Sequence, residues 1–455
     1  MFESEFWSER RQKSVKVREV SYTVMVHILD FLSETSSVTI DEDNVFDLLQ
    51  ASGMLQIVKL QLSCIQYLVQ NLSLENVLTT LSYSERLLLE ELYNKALQFI
   101  LCETEGDINA IENMIDAWVE SDRDRHEPQK EKLRKCIVDS KVEITSQPCC
   151  VGRFKKTPYL FMFDTDKAIL EPYLSLSGKA TSKEGVTACG FKMFSCKSKL
   201  YLFGGEFGQY GRGQWNYSVW RYDSIAEDWS QILELENPIR HCSIACDGKR
   251  FFVIGGFGKY RIMNSMVEVF VDDGNAEIKL ETFATMKEAL YSAPAFYHDN
   301  SLYILKSTKS FWRYDEQSKK WDVPFQHVKF PNDIELAFAN VYEDNVYVSP
   351  RNSRKLFSFP LKSAADKIVE IFEIGEFEQE TQNLTLVNGT LFNFSSDQFD
   401  YMSVIEAYSI ANGKFSVLFK SEDPELDFSP YFSFGCMPLL VMPKFKLPHF
   451  VFKNS

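Results

Sequence analysis

A repeated block of aromatic residues constrains the fold most strongly. The sequence WRYD at Trp220–Asp223, followed by Trp229, recurs at Trp312–Asp315, followed by Trp321. Equivalent tryptophans of the two copies are 92 residues apart in both cases (312 − 220 = 92; 321 − 229 = 92), which equals two units of 46 residues. Self-similarity at roughly 40–50 residues is typical of propellers and solenoids. We therefore predict blades in which Asp turns the chain and Trp opens the next strand, packing between neighbouring blades.

Short apolar segments recur at the same period through the second half of the chain. The first and last begin 232 residues apart (391 − 159 = 232), which is about 46 residues for each of five intervals. This spacing predicts six blades, and continuous apolar runs are expected of strands that are buried on both faces. The segments are Tyr159–Met162, Leu200–Phe203, Phe251–Ile254, Leu302–Leu305, Asn345–Val348 and Leu391–Phe394.

Two of these segments end in glycine pairs, at Gly204–Gly205 and Gly255–Gly256. Glycine allows positive φ and close approach of the backbone, so we expect tight corners near the central channel. The other four blades must turn differently at this corner. Their residues there are Asp164, Ser307, Pro350 and Ser396.

Two blades carry degenerate copies of the block. Val269–Phe270 and Ala407–Tyr408 stand in for the Tyr–Asp strand, and Phe415 stands where Trp is expected. The segment Pro438–Phe450 is predicted to close the ring by pairing with the first blade, because closure removes an exposed edge.

Residues 1–103 have the apolar spacing of short, packed helices. Helices are predicted over Ser21–Ser33 and Asn44–Ser52, then along an apolar stripe from Leu55 to Val69. A further helix is expected from Ser73, and Ser82 with Glu85 can form a capping box before another. These stripes are expected to form a core and not a ligand site, and the polar segment up to Lys156 is expected to be a connector.

Composition excludes several classes of protein. The net charge of −15 disfavours nucleic acid and anionic membranes as partners. No apolar stretch reaches the roughly 18–20 residues that span a bilayer, and the charged N-terminus does not resemble a secretory signal. The ten cysteines, including the adjacent Cys149 and Cys150, show no repeated spacing. We therefore expect free thiols in a soluble cytoplasmic protein.

Several ordered segments together resemble the BTB–BACK–Kelch family. Segments resembling the second half of a BTB domain are Met1–Ser4, Asp30–Leu32, Val38–Ile40 and Asn44–Ala51. Cys64–Leu68 and Asn71–Asn76 resemble the junction with a BACK domain, and Ala117–Val119 resembles a later BACK helix. The resemblance implies a multidomain chain with a helical N-terminal part and an all-β six-bladed Kelch propeller. Its expected domains are a partial BTB domain at 1–72, a BACK-like domain at 73–150 and the propeller at 158–450.

The resemblance departs from the family pattern in two places. The chain begins in the middle of the BTB pattern, without the elements that supply the family's dimer surface. Either an upstream segment precedes this sequence, or the product is shortened, so the resemblance does not imply a homodimer. The second departure is a compressed BACK region between Cys102 and Ile111.

The family commonly binds cullin-3 through a hydrophobic-x-Glu motif near this start. Phe6, Trp7 and Glu9 occupy that place, with the glutamate one residue later than the pattern. Two aromatic residues beside an acid are typical of an interface hot spot. The alternative is that Phe6 and Trp7 pack within the chain.

Propeller loops supply the candidate substrate site. The loop Glu206–Trp215 is long and glycine-rich, and Gly258–Arg261 is its counterpart one blade later. Arg240 lies where Kelch blades often present an arginine to a ligand. Basic groups on an acidic protein indicate a pocket for an acidic peptide, whereas the alternative is that these loops are only flexible connectors. The candidate residues are Tyr210, Arg212, Trp215, Arg240, Tyr260 and Arg261.

No residue pattern indicates catalysis, a metal or a cofactor. The six histidines show no ligand spacing, and Cys242 and Cys246 lack a second pair. We therefore expect a non-catalytic adaptor that connects a protein substrate to a cullin-3 ubiquitin ligase. The alternatives are an actin-binding, cytoskeleton-associated scaffold, or a truncated product that binds substrate without recruiting the ligase.

Overall fold

The structure, a computed structural model, describes most of the chain. The described residues are 19–33, 39–138, 140, 142–183, 185–208, 214–272, 278, 280–307, 310–323, 327–328, 334–361, 368–369, 371–397, 402–428 and 441–446. They fall into two compact units, a helical unit that ends at Val142 and a β unit over Glu143–Lys446.

The helical unit contains short helices with one buried face each. Ser21 caps the first, because its Oγ accepts a hydrogen bond from the Val24 N–H at 3.2 Å. The helix predicted over Ser21–Ser33 is thereby confirmed. The α-helices in the described residues are α1 Tyr22–Leu32, α2 Val45–Met54, α3 Val58–Gln70, α4 Val77–Arg86, α5 Glu90–Thr104, α6 Ile108–Ser121, α7 Arg123–His126 and α8 Lys130–Val138, with a 3₁₀ turn at Glu127–Gln129.

The buried face of α3 differs from the predicted stripe. Leu60, Cys64 and Leu68 are fully buried in a core shared with α1 and α2. Val58 and Leu62, which belong to the predicted stripe, are 62% and 56% exposed. Apolar residues occupy two faces of α3, so periodicity alone did not distinguish the buried one.

The predicted capping box at Ser82 is wrong. Ser82 lies inside α4, and its hydroxyl donates to the Gln129 side chain. The next helix begins only at Glu90, where Glu90 and Glu91 in the first turn interact favourably with the helix dipole.

The β unit contains six larger sheets, here called blades 1–6, among the described residues. Blade 1 is β1 Glu143–Phe154, β2 Thr157–Asp164 and β3 Ile169–Ser175, with β29 Leu426–Asp427 and β30 Val441–Lys446 paired to β1. Blade 2 is β5 Lys192–Cys196, β6 Lys199–Phe203, β9 Ser218–Asp223 and β10 Asp228–Glu234, and blade 3 is β11 Ser243–Cys246, β12 Arg250–Ile254, β13 Met266–Val271 and β14 Glu281–Thr285.

The remaining blades repeat this four-stranded antiparallel order. Blade 4 is β15 Ala295–His298, β16 Ser301–Ser307, β17 Ser310–Asp315 and β18 Lys320–Asp322. Blade 5 is β20 Leu336–Tyr342, β21 Asn345–Pro350, β22 Lys355–Pro360 and β24 Phe372–Glu376. Blade 6 is β25 Asn383–Val387, β26 Thr390–Asp397, β27 Met402–Ser409 and β28 Lys414–Ser421. Two small sheets are β4 Ala188–Cys189, β7 Glu206–Phe207 and β8 Gln214–Trp215, and the parallel pair β19 His327–Val328 and β23 Ile368–Val369.

Six clusters of buried side chains join each blade to the next and complete a ring. In the cluster that joins blade 6 to blade 1, Phe392 and Phe394 pack with Cys150, Phe161 and Phe163. The five other clusters join the successive pairs of blades in the same way. The predicted six-bladed β-propeller is therefore confirmed.

Strands from the end of the β unit complete blade 1. Val441–Lys446 pairs with Glu143–Pro148, and Leu426–Asp427 pairs with Arg153–Phe154. This pairing confirms the predicted closure for the described part of Pro438–Phe450. It leaves no open edge between the ends of the unit.

The predicted phase of blade 1 is wrong by one strand. Tyr159–Met162 lies in the third strand of its blade and not the second, because β1 precedes it and the C-terminal strands supply the first. Asp164 accordingly lies in the turn before the fourth strand, not at the predicted glycine corner. The residues from Glu143, which were expected to form a connector, are strand because Cys149, Cys150 and Val151 are buried between blades.

The two copies of the aromatic block occupy equivalent positions. Tyr222 pairs with Trp229 across strands at 5.3 Å between ring centres, and Tyr314 pairs with Trp321 at 5.1 Å. Each tryptophan packs on the cluster that joins its blade to the preceding one. The prediction that tryptophan packs between blades is confirmed.

The aspartate of the block shapes the turn that follows it. Asp223 Oδ1 accepts hydrogen bonds from the N–H groups two and three residues on, at 2.8 and 3.1 Å, and Asp315 does the same at 2.9 and 3.4 Å. In the degenerate copy of blade 6, Tyr408 contacts Phe415 at 4.6 Å between ring centres, as predicted.

The glycine pairs connect blades through the backbone. Gly204 and Gly255 have φ of 65° and 58°, and a Cβ on either would lie 2.3 Å from the carbonyl oxygen of Ile239 or Leu290. These carbonyls belong to the chain that enters the next blade and accept hydrogen bonds from Gly205 and Gly256 at 2.8 and 2.7 Å. Glycine is therefore needed for both the dihedral angle and the close approach.

We expect Gly255→Ala to destabilise the β unit by about 3 kcal/mol, because strained φ adds to a backbone clash. Thermal unfolding of the full chain measures this change. Gly258→Ala is the matched control, since φ there is not positive and the nearest atom to an added Cβ is 3.7 Å away. Equal unfolding temperatures for the two variants would contradict the account.

An ion pair connects blades 3 and 4. The Arg250 guanidinium donates to both carboxylate oxygens of Glu316 at 2.6 and 2.9 Å, and the Tyr297 hydroxyl donates to Glu316 at 2.6 Å. Arg250 first, and then Tyr297, lower the pKa of Glu316 from 4.5 to about 2, against the opposing effect of desolvation. A carboxyl whose pKa is lowered on folding stabilises the protein above its unfolded value.

We expect Glu316→Gln to cost about 1–2 kcal/mol at pH 7, and the difference from wild type to shrink as the pH falls from about 4.5 towards 2. Thermal unfolding of both proteins between pH 7 and about 3.5 tests whether the stability difference shrinks as the pH falls. Glu373→Gln is the control at pH 7, because its pair with Lys355 is half exposed and should contribute less than about 0.5 kcal/mol. A pH-independent difference for Glu316→Gln would contradict the proposed linkage.

Candidate functional site

Blades 2 and 3 have long connections on the same face of the propeller. Antiparallel order places the link between second and third strands on the same face as the link to the next blade. In blades 2 and 3 the second-to-third links span 204–217 and 255–265, whereas blade 4 has only two residues between Ser307 and Ser310. We call the described residues 204–208, 214–217, 235–242, 255–265 and 286–294 the loop surface.

A buried ion pair lies at the centre of the loop surface. Arg240 Nη1 lies 2.6 Å from Glu206 Oε2, with the Glu206 side chain 1% and the Arg240 side chain 13% exposed. The guanidinium carbon lies 5.9 Å from the ring centre of Trp215 and 6.0 Å from that of Phe257. Backbone hydrogen bonds of 3.0 and 2.8 Å pair Arg240 with Phe257 in both directions. Arg240 is thus held by the loops of two blades.

His241 fixes the backbone beside this pair. Its φ is 53°, its N–H donates to the Gly190 carbonyl at 2.8 Å, and its carbonyl accepts from the Ser292 N–H at 2.9 Å. Its Nε2 lies 3.9 Å from the Cys189 thiol. Burial raises the pKa of Cys189 despite the nearby charge of Arg240, which is the opposite of what an activated nucleophile needs.

An apolar patch projects from the loop surface. Tyr260 and Ile262 are 92% and 68% exposed, and Met263 and Tyr291 are about half exposed. Met263 forms a backbone bridge to Phe257, and the Tyr291 ring lies 4.8 Å from the Phe257 ring. We call Tyr260, Ile262, Met263 and Tyr291 the apolar patch. Neighbouring exposed aromatic, Met and aliphatic side chains are typical of protein-binding surfaces.

Lys259 places a positive charge beside the apolar patch. Its Nζ lies 5.5 Å above the Tyr217 ring, and the 3₁₀ turn Lys259–Arg261 presents Tyr260 at its tip with φ of 58°. The loop surface thus combines exposed apolar side chains with a cation.

The structure brings some of the predicted site residues together. Trp215 and Arg240 are in contact, and Tyr260 lies on the neighbouring loop. Arg261 lies in the same turn, but its side chain is outside the described residues, as are Phe6, Trp7, Glu9, Tyr210 and Arg212. The expectation of an acidic peptide relied partly on Arg240, whose charge is opposed by Glu206, so the acidic ligand stays a prediction.

Sequence reasoning missed Glu206 as the partner of Arg240, and it missed Ile262, Met263 and Tyr291. The adjacent apolar pair Ile262–Met263, in a loop without strand alternation, was the available signal for the apolar patch. Glu206 and Arg240 pair because loops of two blades come into contact, and the spacing of residues in the sequence does not predict that contact.

The described residues include no group of three or more His, Cys, Asp or Glu side chains placed to hold a metal ion. Within the same residues, no helix combines the length and apolar character needed to cross a bilayer.

Comparisons with known proteins agree with this architecture. The profile of the BTB/POZ domain matches residues 1–72, and that of the Kelch motif matches residues 187–232, which span blade 2 and its WRYD block. The chain therefore combines a match to the BTB/POZ domain with a match to the Kelch motif, which is the domain combination of BTB–Kelch proteins.

Among curated proteins, the chain is similar to Kelch-like protein 38 of Danio rerio. The two are 23% identical over a region that covers 56% of this chain and 48% of that protein. The chain thus spans about half the length of this curated relative.

We expect Arg240→Ala to destabilise the protein by about 3 kcal/mol, because Glu206 would remain buried without its counter-ion. Urea unfolding of the two single variants and the double Glu206→Ala, Arg240→Ala variant would give the coupling energy. Arg313→Ala is the control, since its pair with Asp322 is partly exposed and should contribute no more than about 1 kcal/mol. Equal costs for the two arginine variants would show that the buried pair has no special role.

Proposed function

We propose that this protein is a substrate adaptor of a cullin-3 RING ubiquitin ligase. In this proposal the BTB-like residues 1–72 and the BACK-like residues 73–150 engage the cullin scaffold, and the propeller captures a protein substrate. The family assignment supports an adaptor role in general. The observation that carries substrate capture is the apolar patch on the loop surface.

The geometry of the loop surface suits the binding of a protein partner better than it suits catalysis. Arg240 and Glu206 neutralise each other and are clamped by two blades, so they provide a rigid base. The apolar patch projects beside this base, where a partner could bury Tyr260 and Ile262 without opening the core. A rigid base lowers the entropy lost on binding.

The proposed cullin contact includes Phe6, Trp7 and Glu9. Truncating aromatic anchors in the middle of an interface usually costs more than 2 kcal/mol of binding free energy. Ubiquitin transfer would be carried out by other subunits, and this chain would supply proximity. The proposal places the protein in the cytoplasm.

The proposal predicts that mutations can weaken the cullin-3 contact without affecting the substrate contact, and the reverse. Phe6→Ala with Trp7→Ala should weaken cullin-3 co-purification at least tenfold while propeller partners are retained. Tyr260→Ala with Ile262→Ala should do the reverse. Quantitative mass spectrometry of the purified complexes measures both, and ubiquitin on the captured partners should fall in both variants.

Ile169→Ala is the control for the patch variant, because Ile169 is exposed on the fourth strand of blade 1 and outside the loop surface. It should leave both sets of partners unchanged. Co-sedimentation with actin, without co-purification of cullin-3, would contradict the proposal and indicate that the protein is a cytoskeletal scaffold. Substrate capture without cullin-3 in the wild type would indicate a chain that does not recruit the ligase.

A further inference from the structure

Two thiols lie at corresponding positions in neighbouring blades. Cys196 ends the first strand of blade 2 and Cys246 ends the first strand of blade 3, 50 residues apart (246 − 196 = 50). Both precede the turn to the second strand, on the face opposite the loop surface. Both are half-buried and pack at the margin of the cluster that joins the two blades.

Gly248 brings the two sulfurs close to each other. The Cys196 thiol donates to the Gly248 carbonyl at 3.4 Å, and the Gly248 N–H donates to the Cys246 sulfur at 3.2 Å. The two thiols also hydrogen-bond to each other, and this bond, followed by burial, raises the pKa of Cys246. Gly248 has φ of 93° in the turn after Cys246, so the turn itself holds this geometry.

We propose that Cys196 and Cys246 form a reversible disulfide between blades 2 and 3 when the protein meets a low-molecular-weight disulfide such as oxidised glutathione. The first thiol to ionise attacks one sulfur of the reagent, forming a mixed disulfide and releasing one glutathione thiolate. The second thiol, as thiolate, then attacks the protein sulfur of the mixed disulfide and releases the second glutathione thiolate. The two protein thiols lose two electrons and two protons, which appear as two glutathione thiols.

The other described cysteines of the β unit differ from this pair. Cys149 and Cys150 are adjacent, but alternation along β1 places them in clusters on opposite faces of the sheet. Cys242 is fully buried inside the cluster between blades 2 and 3, where a reagent cannot reach it. Cys189 faces His241. Among the described cysteines of the β unit, disulfide formation should therefore be selective for Cys196 and Cys246.

A disulfide here would restrain blades 2 and 3, the two that carry the loop surface at their opposite ends. It would close a loop of about 50 residues, long enough for a sizeable loss of entropy in the unfolded chain. Oxidation should then raise the unfolding temperature of the β unit by about 5 °C.

The test treats the folded full chain with glutathione buffers of stepped redox ratio, quenches with acid, alkylates remaining thiols and maps peptides by mass spectrometry. The expected result is one linked peptide pair, Cys196 with Cys246, which forms before any other cysteine is modified and reverses with reduced glutathione. The unfolding temperature should rise with the linked fraction.

Cys196→Ser and Cys246→Ser should each abolish the linked peptide and the temperature shift, whereas Cys189→Ser should change neither. Full alkylation of both cysteines at every ratio would overturn the proposal. So would persistent glutathione adducts at either position without the internal link, since that would show that the sulfurs cannot meet.

Discussion

Closure of the ring by its C-terminal strand is the interaction on which the β unit depends. Val441–Lys446 supplies blade 1 with a strand from the far end of the β unit, which pairs with Glu143–Pro148. Lys444 forms an ion pair with the buried Asp164 and, as the largest influence, lowers the pKa of that carboxyl. Asp164 also accepts hydrogen bonds from the turn that follows it, so one side chain fixes both the turn and the closing strand. Without this strand, β1 would have an open edge over Glu143–Pro148, and the cluster between blades 1 and 2 would lose Met442.

The repeated elements of the fold could be predicted because each is a local requirement. Asp223 and Asp315 bind N–H groups two and three residues away, and the glycine pairs satisfy a dihedral angle, so the residues alone carry the signal. Blade 1 could not be phased in this way, because its first strand comes from the other end of the unit. The period of 46 residues concealed this exception, since Tyr159–Met162 is apolar like the second strands it was aligned with.

The site could be predicted only in part, for a related reason. Loop length and residue type indicated Trp215 and Tyr260, and both lie on the loop surface. The state of Arg240 depends on Glu206, which reaches it from another blade, so no local pattern distinguishes a paired arginine from one offered to a ligand. The pairing changes the expected recognition, because the apolar patch, with Lys259 beside it, is exposed, whereas the Arg240 side chain is mostly buried and paired.

Blades 2 and 3 combine the features that a capturing surface requires. The glycine corners hold each blade to the chain that enters the next, and the Glu206–Arg240 pair fixes the loops above them. The apolar patch projects from the same face, with Tyr260 and Ile262 92% and 68% exposed. A disulfide between Cys196 and Cys246 would stiffen the same two blades from the other face. It would therefore act on the position of the loop 255–265 relative to the loops of blade 2, since a ring of packed sheets transmits strain and does not absorb it locally.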